Sequence, residues 1–206
     1  MDAIPKTRLE AFSDGVIAII ITIMVLEIRA PHGDKLSALQ PLLPVFLSYV
    51  LSFLFLGIYW NNHHHLLHAA QRVNGRIMWA NLHLLFWLSL VPFTTRWLGE
   101  NHGGSWPTAL YGMILLMAAI AYTILQRVIV ASQGEDSRLA DALGSDWKSK
   151  LSLGSYAAAI ALAFVGQGFS DALYVFVALL WLIPDRRIER LIQPENAFIN
   201  TTWSNH

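Results

Sequence analysis

The sequence of 206 residues contains no cysteine, so it can form neither a disulfide nor a thiolate metal site, and it offers no cysteine nucleophile. Charged residues are also scarce: they make up 14% of the chain, against roughly 25% in an average soluble domain. The 14 Lys and Arg are balanced by 14 Asp and Glu, whereas a nucleic-acid-binding protein needs a basic surface. These shortages argue against both a soluble fold and a nucleic-acid partner.

Hydrophobic residues, in contrast, make up 55% of the chain and are grouped in long runs. A membrane-spanning helix needs about 20 mostly apolar residues. Runs that approach or exceed this length extend from Ala11 to Ile28, Leu42 to Asn62, Ile77 to Trp97, from just after Ser105 to Ala131, and Leu151 to Ile183. Pro92 predicts a kink or an early end in the third run, and Gly166-Gln167-Gly168 predicts a break in the last one. We therefore expect an all-α membrane protein with six transmembrane helices.

The Lys and Arg residues between the runs predict the orientation, because cytoplasmic loops are enriched in them. With a cytoplasmic N-terminus, eleven of these residues fall inside, and only Arg29, Lys35 and Arg96 fall outside. This distribution predicts a multi-pass protein of the cell membrane with both termini in the cytoplasm. We expect residues 1–190 to form the transmembrane unit and residues 191–206 to form a polar cytoplasmic tail.

A cleaved signal peptide is the alternative interpretation of the first run, because Lys6 and Arg8 precede it. The residue at Ile28 is not small, however, and Pro31 follows Ala30, which makes a poor cleavage site. We therefore expect the first run to be retained as a helix.

One narrow stripe of the first helix has a regular spacing. Its members alternate steps of three and four residues, at Phe12, Gly15, Ile19, Thr22 and Leu26. A parallel bundle of identical helices would turn such a stripe toward a common axis. Ordinary packing against other helices of the same subunit is the alternative, and the spacing alone does not distinguish the two.

Two ionisable residues, Arg8 and Asp14, lie near the start of this helix, at the expected membrane boundary. Six positions separate them, so they cannot pair along one helix face. Because an unpaired charge near the membrane is costly, each is expected to meet a group on another helix. For Arg8 the alternative is a position among lipid headgroups.

A histidine cluster, His63-His64-His65 with His68, lies at the end of the second run. His64 and His68 are four residues apart and could share a metal ion. No carboxylate lies nearby in sequence, and histidine is favoured at a helix C-terminus by the helix dipole alone. We therefore predict no metal site, and a membrane metalloenzyme that uses these histidines is the least favoured function.

Three segments together resemble one known family. Arg8 with Phe12-Ser13-Asp14-Gly15, followed by Ala18-Ile19, Thr22 and Leu26, resembles the first-helix signature of the transmembrane protein 175 family of potassium channels. Trp60-Asn61-Asn62-His63 is similar to the family's Trp-x-x-His pattern on the second helix. Asn81-Leu82 followed by Leu90-Val91-Pro92-Phe93 is similar to its third-helix pattern.

The resemblance implies a homotetramer of six-helix units in a lipid bilayer, with first helices lining a central pore for K⁺ and other monovalent cations. It implies no cofactor. It places an apolar constriction at Ile19, a selectivity-linked hydroxyl at Thr22 and a second apolar ring at Leu26, with Ile23 as a further pore-facing candidate. It also implies an inter-helix network formed by Arg8, Phe12, Ser13, Asp14, Trp60 and His63. For Trp60, the alternative is an ordinary interfacial aromatic residue.

Four isoleucine side chains that meet at an axis would exclude water and close a pore by dewetting. A cation passing there needs replacement oxygens, and Thr22 is the only hydroxyl residue between Gly15 and Leu26. Its hydroxyl can also bond to its own helix backbone, and both can hold at once. The chain lacks a Thr-Val-Gly-Tyr-Gly filter, so we expect only moderate K⁺ over Na⁺ selectivity.

A secondary transporter is the main alternative to a channel. Transporters usually show paired repeats and broken midmembrane helices with buried charge. The sequence shows no convincing repeat and no charge deep in a span. We therefore predict a channel and not an enzyme.

Overall fold

The computed structural model describes residues 5–70, 73–132 and 147–182. Within these ranges the chain is helical and contains no strand. The helices are α1 (Lys6–Leu26), a 3-10 helix (Leu36–Leu42), α2 (Leu43–Ala69), α3 (Gly75–Ser89), α4 (Val91–Glu100), α5 (Ser105–Ala131), α6 (Trp147–Leu162) and α7 (Gln167–Leu182). The expected all-α class is confirmed.

Four helical segments are long and apolar enough to cross a membrane: Lys6–Leu26, Leu36–Ala69, Gly75–Glu100 and Ser105–Ala131. The third of these contains both α3 and α4. Helices α6 and α7 have 16 residues each in the described part of the chain, which corresponds to about 24 Å at 1.5 Å per residue. With α3 and α4 counted as one interrupted span, the helices number six in the described ranges, as expected from the sequence.

The helix interruptions follow from local sequence. Helix α3 ends at Ser89 and α4 begins at Val91, with Pro92 in the first turn of α4, where its missing N–H costs nothing. The break between α6 and α7 lies at residues 163–166 and overlaps the predicted site at Gly166. The expected tail at residues 191–206 lies outside the described residues.

Two helix bounds differ from the expectation. Helix α1 begins already at Lys6, and α2 continues past Asn62 to Ala69. The polar histidine run had indicated the end of a membrane span, but a helix does not end where its side chains become polar. It ends where the backbone turns, and Ala70 has an extended backbone with ψ of 125°.

Helix α5 lies at the centre of the subunit and contacts α3, α4, α6 and α7. One apolar core joins it to the first three helices and includes Ile17, Leu84 and Leu125. A second core, which includes Tyr111 and Tyr174, joins α5 to α2, α4, α6 and α7. Among the described helices, α1 packs mainly against α2, α3 and α4, so it lies toward an edge of the helices described.

The contact between α2 and α4 is close and partly polar. Gly99 of α4 lies so near α2 that an added Cβ would be 2.7 Å from the Val45 Cα, and only glycine fits there. The hydroxyl of Ser52 on α2 lies 2.7 Å from that of Thr95 on α4 and 2.9 Å from that of Tyr111 on α5. Small residues and interhelical hydrogen bonds are the usual means by which membrane helices associate.

Candidate functional site

One face of α1 is uncovered by the rest of the subunit. Phe12, Ile19 and Leu26 of the predicted stripe are 52%, 58% and 79% exposed, and Ile23 beside them is 41% exposed. A Cβ added to Gly15 would meet no atom within 4 Å. Within the described ranges, most of this stripe is free of contact with the other helices, which argues against the alternative of ordinary packing inside the subunit.

The opposite face of α1 is packed into the subunit. Ile17, Ile20 and Met24 are at most 4% exposed and contact the core formed with α2, α3 and α5. The helix is therefore held along one side and leaves an apolar side available for another molecule or for lipid.

Thr22 lies on the uncovered face. Its Oγ1 donates a hydrogen bond to the carbonyl oxygen of Ile19 at 2.9 Å. That bond uses the hydroxyl hydrogen but leaves an oxygen lone pair free. Thr22 therefore makes the backbone bond that we considered and can still offer its oxygen to a cation.

Asp14 and Trp60 meet between α1 and α2. The indole Nε1 of Trp60 donates to Asp14 Oδ1 at 3.0 Å. The Asp14 carboxylate thus has its partner on another helix, as its position near the membrane boundary requires.

A second chain of hydrogen bonds crosses from α1 through α3 to α2. Ser13 Oγ donates to the Leu9 carbonyl oxygen at 2.8 Å and accepts from Asn81 Nδ2 at 2.9 Å. Asn81 Oδ1 lies 2.6 Å from His63 Nε2. Because the amide nitrogen of Asn81 faces Ser13, its oxygen is the acceptor, and His63 carries its proton on Nε2.

All three side chains of this Ser13–Asn81–His63 chain are buried, with at most 1% exposure. His63 Nδ1 has no hydrogen-bond partner among the described residues. Asn81 connects Ser13 to His63, a role that the sequence analysis did not assign to it. The available signal was that Asn81 carries the only amide side chain of α3.

Arg8 and Phe12 stand apart from these contacts. Both are exposed, and within the described ranges the Arg8 side chain makes no hydrogen bond or ion pair, while its backbone N–H donates to the Pro5 carbonyl oxygen. The residue of α1 that meets the end of α2 is instead Lys6, whose Nζ donates to the His68 carbonyl oxygen at 2.6 Å.

The remaining histidines lie on the exposed side of α2. The rings of His64 and His68 are stacked with centroids 6.2 Å apart. No group of three or more potential metal ligands occurs in the residues that the structure describes.

At the C-terminal end of α1, an ion-pair cluster links α1 to α4. Arg96 Nη1 lies 2.5 Å from Glu27 Oε2, and Arg96 Nε lies 3.0 Å from Glu100 Oε1. The sequence had indicated Arg96 only as a loop charge, but it lies within α4. No sequence signal pairs residues that are 69 positions apart.

An open groove runs along α1 below this cluster, between α1 and the α3–α4 segment. The groove is open to the surroundings. Its walls include Ile19, Ile23, Glu27, Phe93 and Arg96. The Glu27–Arg96 pair therefore borders the same space as the two isoleucines of the uncovered face.

Comparison with known proteins supports the resemblance. The model of the family described as "Endosomal/lysosomal potassium channel TMEM175" matches residues 8–92, which begin at the arginine of the first-helix motif. A crystal structure described as a lysosomal potassium-selective channel TMEM175 homolog from Chamaesiphon minutus superposes with a TM-score of 0.77. It is 29% identical, and the match covers 86% of this chain and 96% of that one.

Two bacterial relatives named potassium channels match over most of their length. The one from Chryseobacterium sp. is 54% identical over 188 residues, 91% of this chain and 98% of the relative. The one from Streptomyces collinus is 32% identical and covers 84% of this chain and 90% of the relative. The human endosomal/lysosomal proton channel TMEM175 is 34% identical, but over only 41% of this chain and 19% of its own length. With near-complete coverage at 54% identity and a matching fold, the chain belongs to the TMEM175 family.

Proposed function

We propose that the chain forms a homotetrameric, potassium-permeable cation channel with four copies of α1 around a central pore. The observation that carries the proposal is the uncovered apolar face of α1, which bears Phe12, Ile19, Thr22 and Leu26 on a helix whose other face is buried. K⁺ is proposed as the permeant ion because two bacterial relatives are named potassium channels and the similar crystal structure is described as potassium-selective.

Within that pore, Ile19 forms the apolar constriction, and Leu26 with Ile23 forms further apolar lining toward the C-terminal end of α1. Four branched apolar side chains at one level hold little water, so they set the barrier to ion passage. Thr22 supplies the oxygens that replace part of the hydration shell of K⁺. Because four hydroxyls cannot replace a full shell, selectivity for K⁺ over Na⁺ is moderate.

The contacts behind α1 give it a fixed orientation in this proposal. Asp14 with Trp60 ties it to α2, and Ser13 with Asn81 and His63 ties it to α3 and α2. Arg8 and Phe12, which are exposed on the single subunit, meet the neighbouring subunit or the pore entrance. A helix held in this way presents the same residues to the axis in every subunit.

The proposed orientation places both termini in the cytoplasm. The Lys6–His68 contact puts the start of α1 at the same end as the end of α2, and Glu27–Arg96 marks the opposite end. The first of these ends is assigned to the cytoplasm because cytoplasmic loops prefer Lys and Arg, and eleven of the 14 such residues fall in the sequence segments assigned to that side.

Flux measurements on purified protein in liposomes test the channel against a secondary transporter. A channel carries K⁺ down its own gradient with no second solute gradient, and single openings appear in a planar bilayer. A K⁺ flux that requires a gradient of another solute would favour the transporter and contradict the proposal. Metal content of the same preparation tests the enzyme alternative, and we expect no stoichiometric metal.

A further inference from the structure

The ion-pair cluster at the C-terminal end of α1 lies where an ion would enter or leave the proposed pore. Glu27 directly follows the last helical residue, Leu26, and borders the groove that also contains Ile19 and Ile23. A carboxylate in this position is an attractive site for a cation, yet a cation of the protein already occupies it. The Arg96 guanidinium contacts Glu27 at 2.5 Å.

We propose that Arg96 is the fixed counter-ion of Glu27 at this entrance, and that it keeps permeant and divalent cations from accumulating there. The role rests on the proposed function, because the entrance exists only if α1 lines a pore. Arg96 suits it because its guanidinium presents several donors in a rigid fork. One side of the fork binds Glu27 and the other binds Glu100, which holds Arg96 in place from its own helix.

The ion-pair cluster itself contains one cation, Arg96, and two anions, Glu27 and Glu100. In sequence, the loop after α1 adds Arg29, Asp34 and Lys35. Removing the Arg96 charge therefore leaves both carboxylates of the cluster uncompensated on each subunit. In a tetramer these charges surround one axis, and their fields add.

Charge at a pore entrance changes the local ion concentration, and salt screens the effect. The Debye length is about 30 Å at 0.01 M salt and about 3 Å at 1 M. Both Glu27 and Arg96 have side chains about one-third exposed, so they are open to screening. An electrostatic role for the pair therefore predicts differences at low salt that disappear at high salt.

The test compares Arg96→Gln, Glu27→Gln, the double variant and Arg96→Lys in planar bilayers. At about 0.01 M KCl, Arg96→Gln should raise K⁺ conductance by about twofold or more, since the entrance becomes more negative. Glu27→Gln should lower the conductance, because the cluster then loses one of its two negative charges. The double variant and Arg96→Lys should resemble the wild type, and all should converge at about 1 M KCl.

The two single variants are expected to change conductance in opposite directions, which distinguishes an electrostatic role of the ion pair from a purely structural one. A merely structural salt bridge would lower conductance or assembly in both variants, and the double variant would not recover. The proposal would be overturned if both single variants changed conductance in the same direction. It would also be overturned if their conductances still differed from that of the wild type at about 1 M KCl. If Arg96→Gln does not assemble, Glu27→Gln alone still tests the proposal. An unchanged conductance of Glu27→Gln at low salt would contradict the counter-ion role.

Mn²⁺ binding gives a second measurement that needs no conduction. Carboxylate oxygens suit Mn²⁺, and its electron paramagnetic resonance signal reports the bound fraction. Arg96→Gln in detergent should bind Mn²⁺ more tightly than the wild type, and the double variant should lose this gain. Equal binding by all three proteins rejects the counter-ion role. Absence of K⁺ flux in the wild type would reject the proposed function and leave the Mn²⁺ result intact.

Discussion

At the residue scale, the angular position of a side chain on α1 decides its role. Ile17 and Ile19 are the same residue type two positions apart, yet Ile17 is 0% exposed and Ile19 is 58% exposed. A step of two residues turns an α-helix by about 200°, so the two side chains lie on opposite sides. The first contributes to the core of the subunit, and the second faces the proposed pore.

Replacing Ile19 by Asn should hydrate the constriction and raise ion flux. A barrier lowered by about 1.4 kcal/mol corresponds to about a tenfold increase, and single-channel recording measures it. The matched control is Val25→Asn, because Val25 is also exposed on α1 but lies roughly 100° around the helix from the stripe. A similar increase in both variants would show a general loosening of the helix.

Replacing Thr22 by Val keeps the side-chain shape but removes the hydroxyl, so the K⁺ to Na⁺ permeability ratio should fall toward one. Thr22→Ser keeps the hydroxyl and serves as the control, with a ratio near that of the wild type. Reversal potentials under bi-ionic conditions give the ratio. If the ratio is unchanged in Thr22→Val and conductance is unchanged in Ile19→Asn, the ion pathway does not follow this helix.

At the element scale, α1 is held by polar contacts that reach two different helices. Within the Ser13–Asn81–His63 chain, replacing Asn81 breaks both interhelical hydrogen bonds, because Asn81 donates to Ser13 and accepts from His63 in a buried site. Polar groups buried without partners cost stability, and hydrogen bonds between membrane helices are typically worth about 0.6 to 2 kcal/mol each.

Asn81→Leu should therefore lower the free energy of unfolding by about 1 to 3 kcal/mol, seen as a lower melting temperature in detergent. Asn62→Leu is the control, since among the described residues the Asn62 side chain bonds only to the Ile58 carbonyl oxygen of its own helix. Equal melting temperatures for wild type and Asn81→Leu would show that the Ser13–Asn81–His63 chain does not stabilise the bundle.

The Asp14–Trp60 contact permits a separate test of the carboxylate. Asp14→Ala leaves the Trp60 indole N–H without its acceptor and should weaken tetramer assembly or expression. Asp14→Asn retains an acceptor oxygen at the same position and should assemble nearly as well as the wild type. If Asp14→Ala behaves like the wild type in gel filtration and thermal melting, the carboxylate has no part in holding α1.

At the scale of the whole molecule, the exposed side of α1 is the surface on which the proposed tetramer depends. Leu26 is the most exposed member of the stripe, at 79%, and lies at its end. Four subunits around an axis would bring four copies of this residue together.

Cross-linking tests this arrangement directly. Because the sequence contains no native cysteine, any disulfide must involve the introduced residue. Leu26→Cys should form disulfide-linked dimers on oxidation, while Leu179→Cys on α7, which is also exposed and apolar, should remain monomeric on denaturing gels. The native particle should have four times the 23.1 kDa chain mass. A monomer in mild detergent, or cross-linking at both positions alike, would contradict the tetramer.

The sequence by itself determined the helical membrane class, the breaks near Pro92 and Gly166, and the stripe on α1. Composition, run length and helical period are local properties, and local properties can be read along a chain. The family resemblance also rested on short segments, and the comparisons confirmed it.

Only the tertiary structure decided which groups meet. It joined Ser13 to His63 through Asn81, left Arg8 outside that network, and paired Glu27 with Arg96 across 69 positions. The physical reason is that hydrogen bonds and ion pairs depend on distances of about 3 Å between side chains. Helices packed at different heights and rotations can bring many alternative pairs within that distance, and only the packing of the whole subunit selects among them.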